Sequence, residues 1–319
     1  MQTHQITSDV TVLSDSIEIP GIGFLPVNTF VLHSTQPVVI DTGLSTPDKD
    51  YLNDLAQVID PADVEWIWLT HPDRDHTGGL FALLDAAPRA RVVTTFIGVG
   101  ILGCERQIPL DRVYLLNPGQ TLDVGDRTLT GYRPPLFDNP ATVGFIESKT
   151  GAFFSSDCFG GPMASAEIAS ASNVHAAAEP DREAAQLMWA AIDSPWVHNV
   201  DQGKFLDSIQ TIRDLDPSAI FCTHLPPAIG MNETLFTTIA KAPRPAHSSS
   251  ARTSEGWKQC SPRSNQPQAR PDSCRCSRTS PLVRILGAHP NGSNFHDRHG
   301  SEGILDRERR KKSERPPPS

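Results

Sequence analysis

The residues of this sequence best suited to chemistry lie in one short polar loop. Four potential metal ligands fall within six residues, directly after an apolar strand predicted at Val64–Leu69: they are His71, Asp73, Asp75 and His76. Loops at strand ends present functional groups on a rigid scaffold, and imidazole nitrogens and carboxylate oxygens suit Zn, Fe or Mn. The loop therefore predicts a metal site. The alternative is a solvated turn whose aspartates cap a helix.

Three further polar residues come directly after short apolar segments elsewhere in the chain: Asp41, Asp157 and His224. Each has an ordinary explanation when taken alone. Asp41 could close a turn, Asp157 could cap a helix, and His224 could be a core histidine with its hydrogen bonds satisfied. Their repeated position at strand ends favours a common site instead.

Short apolar strands alternating with amphipathic helices must position these residues. Strands are predicted at Val10–Leu13, Thr29–Leu32, Val38–Ile40, Val64–Leu69, Arg91–Thr95, Arg112–Leu115, Thr128–Tyr132, Val143–Glu147, Ala152–Ser155 and Ala219–Cys222, and helices at Asp48–Ile59, Gly79–Ala86, Glu179–Ile192 and Asp201–Leu215. Strands interleaved with helices indicate a layered α/β or α+β fold.

The polar loop resembles the His-x-His-x-Asp-His signature of the metallo-β-lactamase superfamily, with Asp73 in place of the middle histidine. Three other segments resemble family elements in the same order: the Asp-Thr-Gly turn at 38–43, the strand carrying the bridging Asp at 153–160, and the last ligand strand at 221–224. The resemblance covers about Thr11 to Pro227. It implies the α+β metallo-β-lactamase fold, a four-layer αββα sandwich.

The resemblance also implies a role for each matching residue. The implied ligands of a first metal are His71 and Asp73, those of a second are Asp75, His76 and His224, and Asp157 bridges the two. Asp41 would orient ligands from behind the site. Asp75 would also be the catalytic residue, because it would hold an activated water and move its proton.

One ligand departs from the family pattern. The family has another histidine between the signature and the bridging Asp, but the equivalent segment Tyr132–Pro140 contains none. Asp138 is the nearest substitute, although an Asx turn before Pro140 explains it equally well, and His175 is a weaker candidate. A site richer in carboxylate favours Fe or Mn over Zn. The predicted cofactors are therefore one or two divalent metal ions, zinc or iron, with manganese as an alternative.

Three functions follow from such a site. The first choice is a metal-dependent hydrolase that uses a metal-activated water on an ester, lactone, thioester or phosphoester. The alternative is a carboxylate-rich di-iron oxidoreductase that binds or reduces O₂ or NO. Flavodiiron proteins carry a carboxylate at the middle signature position, and residues 156–160 resemble the segment around their bridging Asp. No flavin domain is recognisable after Pro227, so this alternative requires a redox partner. The third is a non-catalytic metal-binding or sensor protein.

Composition divides the 319-residue chain near Lys241. Residues 1–241 are predicted to form the metallo-β-lactamase-like domain, and 242–319 a disordered basic tail rich in Ser, Arg and Pro. The tail contains 15 of the 28 Lys and Arg residues and 7 of the 37 Asp and Glu residues, which leaves the body with a net charge of −17. Such a body disfavours nucleic-acid binding and suits a protein that holds cations and takes a small-molecule substrate.

The sequence predicts a cytoplasmic protein that does not enter a membrane. It contains no apolar run of about 18 residues, and residues 1–10 lack the layout of a secretory signal. The six cysteines are scattered, which is typical of a reducing compartment. Members of the superfamily often dimerise, so a homodimer is an open prediction.

Overall fold

The computed structural model describes residues 1–44, 46 and 49–243. The predicted basic tail lies outside these residues except for its first two positions, so its disorder stays a prediction. The strands are β1 Gln2–Gln5, β2 Val10–Ile19, β3 Gly23–Leu32, β4 Val38–Ile40, β5 Trp66–Trp68, β6 Arg91–Thr94, β7 Val113–Leu115, β8 Thr121–Asp123, β9 Thr128–Tyr132, β10 Gly144–Glu147, β11 Ala152–Phe154, β12 Ala219–Phe221 and β13 Ala228–Ile229. The helices are α1 Tyr51–Ala56, α2 Arg74–Thr77, α3 Leu80–Ala86, α4 Phe96–Leu102, α5 Ala166–Ala169, α6 Glu179–Asp193, α7 Gln202–Arg213 and α8 Asn232–Ile239.

Strands β1 to β7 form the first sheet in chain order. Its antiparallel part is dominated by the β2–β3 hairpin, in which ten residues of each strand pair, from Val10 with Leu32 to Ile19 with Gly23. Strands β4 to β7 run parallel. Parallel neighbours need crossover connections, and α1 to α4 lie in these connections. The predicted alternation of strands and helices arises from this half of the chain.

The second sheet has the order β13-β12-β11-β10-β9-β8. Strands β8 to β11 form an antiparallel meander. Strand β12 then pairs parallel with β11 after a long connection that contains α5, α6 and α7. The carboxyl ends of β11 and β12 therefore lie side by side.

The two sheets pack face to face over an aromatic core. Its largest members are Phe30, Trp68, Phe145, Phe154 and Phe221, each at most 2% exposed. Phe145 stacks on Phe154 with ring centroids 4.6 Å apart. Alternation along each strand sends the other side chains outward, where α1 and α3 cover the first sheet and α6, α7 and α8 cover the second. The predicted α+β fold, a four-layer αββα sandwich, is confirmed.

Several elements were not predicted from the sequence: β1, β8, β13, α2, α4, α5 and α8. The β2–β3 hairpin is also longer than the predicted strands, since β2 continues through Ser14 and Asp15 to Ile19. Both polar residues are buried, and Lys49 pairs with Asp15 at 2.8 Å. Among the described residues, no helix is long and apolar enough to cross a membrane.

Candidate metal centre

The predicted site residues lie in loops at one edge of the two sheets. Four strands deliver them from their carboxyl ends: β4 is followed by Asp41, β5 by the polar loop, β11 by Asp157 and β12 by His224. Carboxyl ends of neighbouring parallel strands meet at the same edge. Each sheet contributes one parallel pair, β4–β5 and β11–β12. Residues distant in the sequence are brought together in this way.

One set of donor atoms surrounds the first carboxylate oxygen of Asp157. Its Oδ1 lies 3.1 Å from His76 Nε2 and 3.3 Å from His224 Nε2. Asp75 is the last donor of this set, and its Oδ2 lies 3.4 Å from His224 Nε2. Donors bound tetrahedrally at 2.0–2.1 Å lie about 3.3–3.4 Å from one another. The observed spacing therefore suits a shared metal ion.

A second set surrounds His71. Its Nε2 lies 3.3 Å from Asp157 Oδ2, 3.6 Å from Asp138 Oδ1 and 3.8 Å from Asp73 Oδ2. Asp157 thus presents one oxygen to each set, which is the geometry of a bridging carboxylate. Asp138 lies within the group, at the place where the sequence lacks a histidine. The Asp73 side chain is 43% exposed, and Asn139 Nδ2 donates to its Oδ1 at 2.9 Å.

A buried carboxylate orients His76. Asp41 is 1% exposed, and its Oδ2 accepts hydrogen bonds at 2.8 Å from His76 Nδ1 and from Thr70 Oγ1. Its Oδ1 accepts a third from the backbone amide of Thr70 at 2.8 Å. Because a carboxylate only accepts, His76 Nδ1 carries a proton, and Nε2 is the ring nitrogen that faces the site and can bind a metal.

The other two histidines are oriented in the same way, with Nδ1 hydrogen-bonded behind the site and Nε2 facing it. Ser156 Oγ donates to Thr70 Oγ1 at 3.0 Å, so the bond of 3.2 Å between His71 Nδ1 and Ser156 Oγ has the ring nitrogen as its donor. His224 Nδ1 donates to the Pro26 carbonyl at 2.7 Å. All three rings therefore turn Nε2, the nitrogen available to a metal ion, toward Asp157.

Local backbone conformations support this arrangement. Asp41 and Ser156 both have a φ of 55°, in the left-handed region that residues other than glycine rarely adopt. Such strain is retained at sites where the surroundings enforce it. At Gly160, an added Cβ would lie 2.6 Å from the Cβ of His224, so only glycine lets the two ligand loops approach this closely.

Two unsatisfied atoms test whether a cation fits the site. His76 Nε2 and Asp157 Oδ1 are buried and have no hydrogen-bond partner among the described residues. They face each other at 3.1 Å. Leaving buried polar atoms unpaired is costly, and a metal ion bound to both would satisfy them. The donor set is therefore of the right kind for one or two metal ions.

The charges of the site are strongly coupled. Burial opposes the charged form of His76, yet the carboxylates of Asp157 and Asp41 raise its pKa well above the usual value. Burial also opposes ionisation of Asp157, but His71 and His76 hold its pKa below the ordinary range. Burial and the neighbouring His76 lower the pKa of His71. A cation bound at His76 Nε2 would displace the ring proton that this raised pKa favours in its absence.

Two other carboxyl groups near Asp157 have raised pKa values, whereas the pKa of Asp157 itself is lowered. Burial and the charge of Asp157 raise the pKa of Asp138 to about 7. The same causes raise the pKa of Asp193 to about 8. Sequence reasoning proposed Asp138 as a substitute ligand but missed Asp193, because an aspartate at the end of a long amphipathic helix carries no motif. His175, the weaker candidate, is exposed on the short turn Val174–Ala176.

An open cleft of about 610 Å³ borders the polar loop. Asp73, Arg74 and Asp75 of the polar loop line one side, and Leu102 and Glu105 line the other. The three histidines are at most 2% exposed, whereas Asp75 is 24% exposed. A small molecule that enters the cleft would therefore meet the carboxylates of the loop first.

Comparisons with known proteins agree with the fold. Residues 22–153 match the model of the metallo-β-lactamase superfamily, a range that includes the polar loop and ends before Asp157 and His224. The anaerobic nitric oxide reductase flavorubredoxin of Salmonella typhi is 25% identical over 134 residues, which are 42% of this chain and 28% of that protein. The chain thus matches only about a third of the length of such curated relatives.

Solved structures show the same fold. Rubredoxin oxygen:oxidoreductase from the anaerobe Desulfovibrio gigas superposes with a TM-score of 0.64 at 20% identity, over 76% of this chain and 61% of that one. The flavodiiron protein from Giardia intestinalis gives 0.63 at 16% identity, over 76% and 59%. The resemblance inferred from the sequence, a metallo-β-lactamase domain similar to flavodiiron proteins, is confirmed. The findings favour the oxidoreductase alternative over the hydrolase that the sequence placed first.

Proposed function

We propose that this metallo-β-lactamase domain holds iron at the centre around Asp157 and is an oxidoreductase that binds or reduces O₂ or NO. The observation that carries the proposal is the carboxylate-rich set on the His71 side. There Asp73, Asp138 and Asp157 accompany a single imidazole at 3.3–3.8 Å. Hard oxygen donors favour iron or manganese over zinc. The similarity to a nitric oxide reductase and an oxygen oxidoreductase supports the same choice.

The ligands we assign are those named from the sequence, with Asp138 added. On the His71 side they are His71, Asp73 and Asp138, and on the other side Asp75, His76 and His224, with Asp157 shared. Asp41 orients His76 from behind through the bond at 2.8 Å. In metal centres such outer partners set the tautomer and the basicity of the histidine ligand.

Bound iron would supply one-electron chemistry and an open position for a diatomic ligand. The chain itself excludes water from the rear of the site, because the histidines and Asp157 are almost fully buried. Asp75 lies at the cleft with one oxygen 3.4 Å from His224 Nε2. It is placed to hold a proton beside a reacting molecule. Electrons would come from a separate redox partner, such as a flavin- or iron-containing protein.

The test begins with the metal content of the purified full chain. We expect iron with a visible absorption band, and O₂ or NO consumption measured with an electrode after chemical reduction. The variant Asp157→Ala should lose both metal and turnover. The exposed carboxylate Asp207 offers a matched control, and Asp207→Asn should behave as the parent. Bound zinc together with hydrolysis of a lactone or phosphodiester panel would instead establish the hydrolase.

A further inference from the structure

We propose that Asp193 is an additional metal ligand, which joins Asp138 and Asp157 on the His71 side of the centre. The inference rests on the proposed metal centre and extends it by one residue. It adds Asp193, a partly buried carboxylate, to Asp73, Asp138 and Asp157 on the side where the sequence lacks the expected histidine. The preferred occupant is a hard divalent cation, Fe²⁺ or Mn²⁺.

The geometry of three carboxylates is the first argument. Asp138, Asp157 and Asp193 each offer an oxygen, and these oxygens all lie within 4.8 Å of one another. They come from three different elements: the loop after β9, the loop after β11, and the last residue of α6. Asp157 also belongs to the groups around His71 and His76. The three-carboxylate group is therefore continuous with the centre.

Charge balance is the second argument. Asp193 lies at the carboxyl end of α6, and the last turn of that helix contains no basic residue. The negative end of a helix dipole disfavours an anionic side chain. Across the described residues, the only cationic groups within ion-pair distance of Asp138 and Asp157 are the site histidines. None lies within that distance of Asp193. A cation bound among the three carboxylates would supply the positive charge that this group otherwise lacks.

Two unpartnered buried atoms beside Asp193 are the independent observation. Gln186 is 2% exposed and Ser194 is 0% exposed, and within the described part of the chain Gln186 Oε1 and Ser194 Oγ have no hydrogen-bond partner. Both residues line a small cavity of about 10 Å³ together with Asp157 and Asp193. The cavity beside Asp193 therefore contains free oxygen atoms, which are the atoms that a hard cation binds.

The test is a Mn²⁺ titration of the metal-free full chain, followed by the electron paramagnetic resonance signal of free Mn²⁺. The parent and the control Asp207→Asn should bind two ions. In Asp193→Asn we expect one of the two sites to weaken at least tenfold, while the site containing His224 keeps its affinity. Asp193→His, which restores a donor, should recover the second ion and shift the preference of that site toward Zn²⁺.

The outcomes separate this inference from the proposed function. Two sites of unchanged affinity in Asp193→Asn would show that Asp193 does not bind metal, and the centre itself would stand. A parent protein that binds neither Mn²⁺ nor Fe²⁺ would overturn both. If Asp193→Asn does not fold, as judged by circular dichroism, Asp193→His decides. Loss of the second ion in a folded Asp193→His, which has a donor at that place, would overturn the inference.

Discussion

Replacing Asp41 by Asn would test whether the metal centre depends on a residue that does not face it. The substitution keeps the size of the side chain and its tolerance of the left-handed backbone, where φ is 55°. It removes a negative charge that is 1% exposed. Of the two oxygens that accept from Thr70 and His76, one becomes an amide nitrogen, which cannot accept. At least one of these bonds must therefore be lost, and in either orientation of the amide the negative charge behind His76 is gone.

The expected effect follows from the lost charge, which makes His76 a less basic ligand even where the amide oxygen keeps its hydrogen bond. Mutation of an outer partner of a metal-bound histidine costs about 10–100-fold in metal affinity, or about 1.4–2.7 kcal/mol. Asp41→Ala should cost more, because it also leaves the Thr70 amide and hydroxyl unsatisfied and places alanine in a strained conformation. The free energy of unfolding should then fall as well, by about 2–5 kcal/mol.

Metal affinity can be measured by competition with a coloured chelator, and stability by urea denaturation of the metal-free protein. Asp207→Asn controls for the loss of one negative charge. We expect Asp41→Asn to weaken metal binding while the circular dichroism spectrum stays unchanged. Affinity equal to that of the parent would refute the reasoning, since it would mean that the orientation of His76 does not depend on Asp41.

Three other changes have definite expected outcomes. His76→Ala should abolish metal binding, measured by elemental analysis, because it removes a donor that no neighbour can replace. Phe145→Ala should lower the free energy of unfolding by about 3–5 kcal/mol in urea titrations, since this ring is fully buried between the sheets. Arg127, whose side chain is 0% exposed, pairs with Asp9 and with buried Glu147, so Arg127→Met should cost about 3–5 kcal/mol. Hydrogen bonding to Arg127 lowers the pKa of Asp9 from 3.8 to about 2. This pair therefore stabilises the fold above pH 4 and should lose its contribution as pH falls from 4 to 2. Urea midpoints across that range should fall less steeply in Arg127→Met than in the parent.

The sequence predicted the strands of the site better than the rest of the fold. Strands β4, β5, β11 and β12 are short, buried on both faces and therefore continuously apolar. Such runs are visible without an alignment. Helix α4 was not predicted because Gly98 and Gly100 interrupt it, and glycine opposes helix formation in isolation. Its stability comes from tertiary packing of Leu102, which no local pattern reports.

The ligands were predicted from the resemblance to a family motif, and such a motif identifies only the residues that belong to it. Asp138 could be a ligand or a turn residue from the sequence alone, and only its distance of 3.6 Å from His71 Nε2 brings it into the group. Asp193 has no sequence signal, and Ser156 lies in a recognised segment that gives no sign of its contact with His71. Ser156 acts through a hydrogen bond to His71, and Asp193 reaches Asp157 from a helix 36 positions later in the chain. Contacts of this kind depend on the packing of layers, which residue spacing does not encode.

The two sides of the centre differ in how far the fold has already arranged them. Around His76 and His224 both rings are held by hydrogen bonds of 2.7–2.8 Å to Asp41 and to a backbone carbonyl. The entropy of ordering these donors is therefore lost on folding and not on metal binding. On the His71 side, Asp73 is 43% exposed and must be ordered when a cation arrives. A third or fourth carboxylate on that side strengthens the attraction for a cation and offsets this cost. Replacement of imidazole by carboxylate and looser organisation thus occur together on the His71 side.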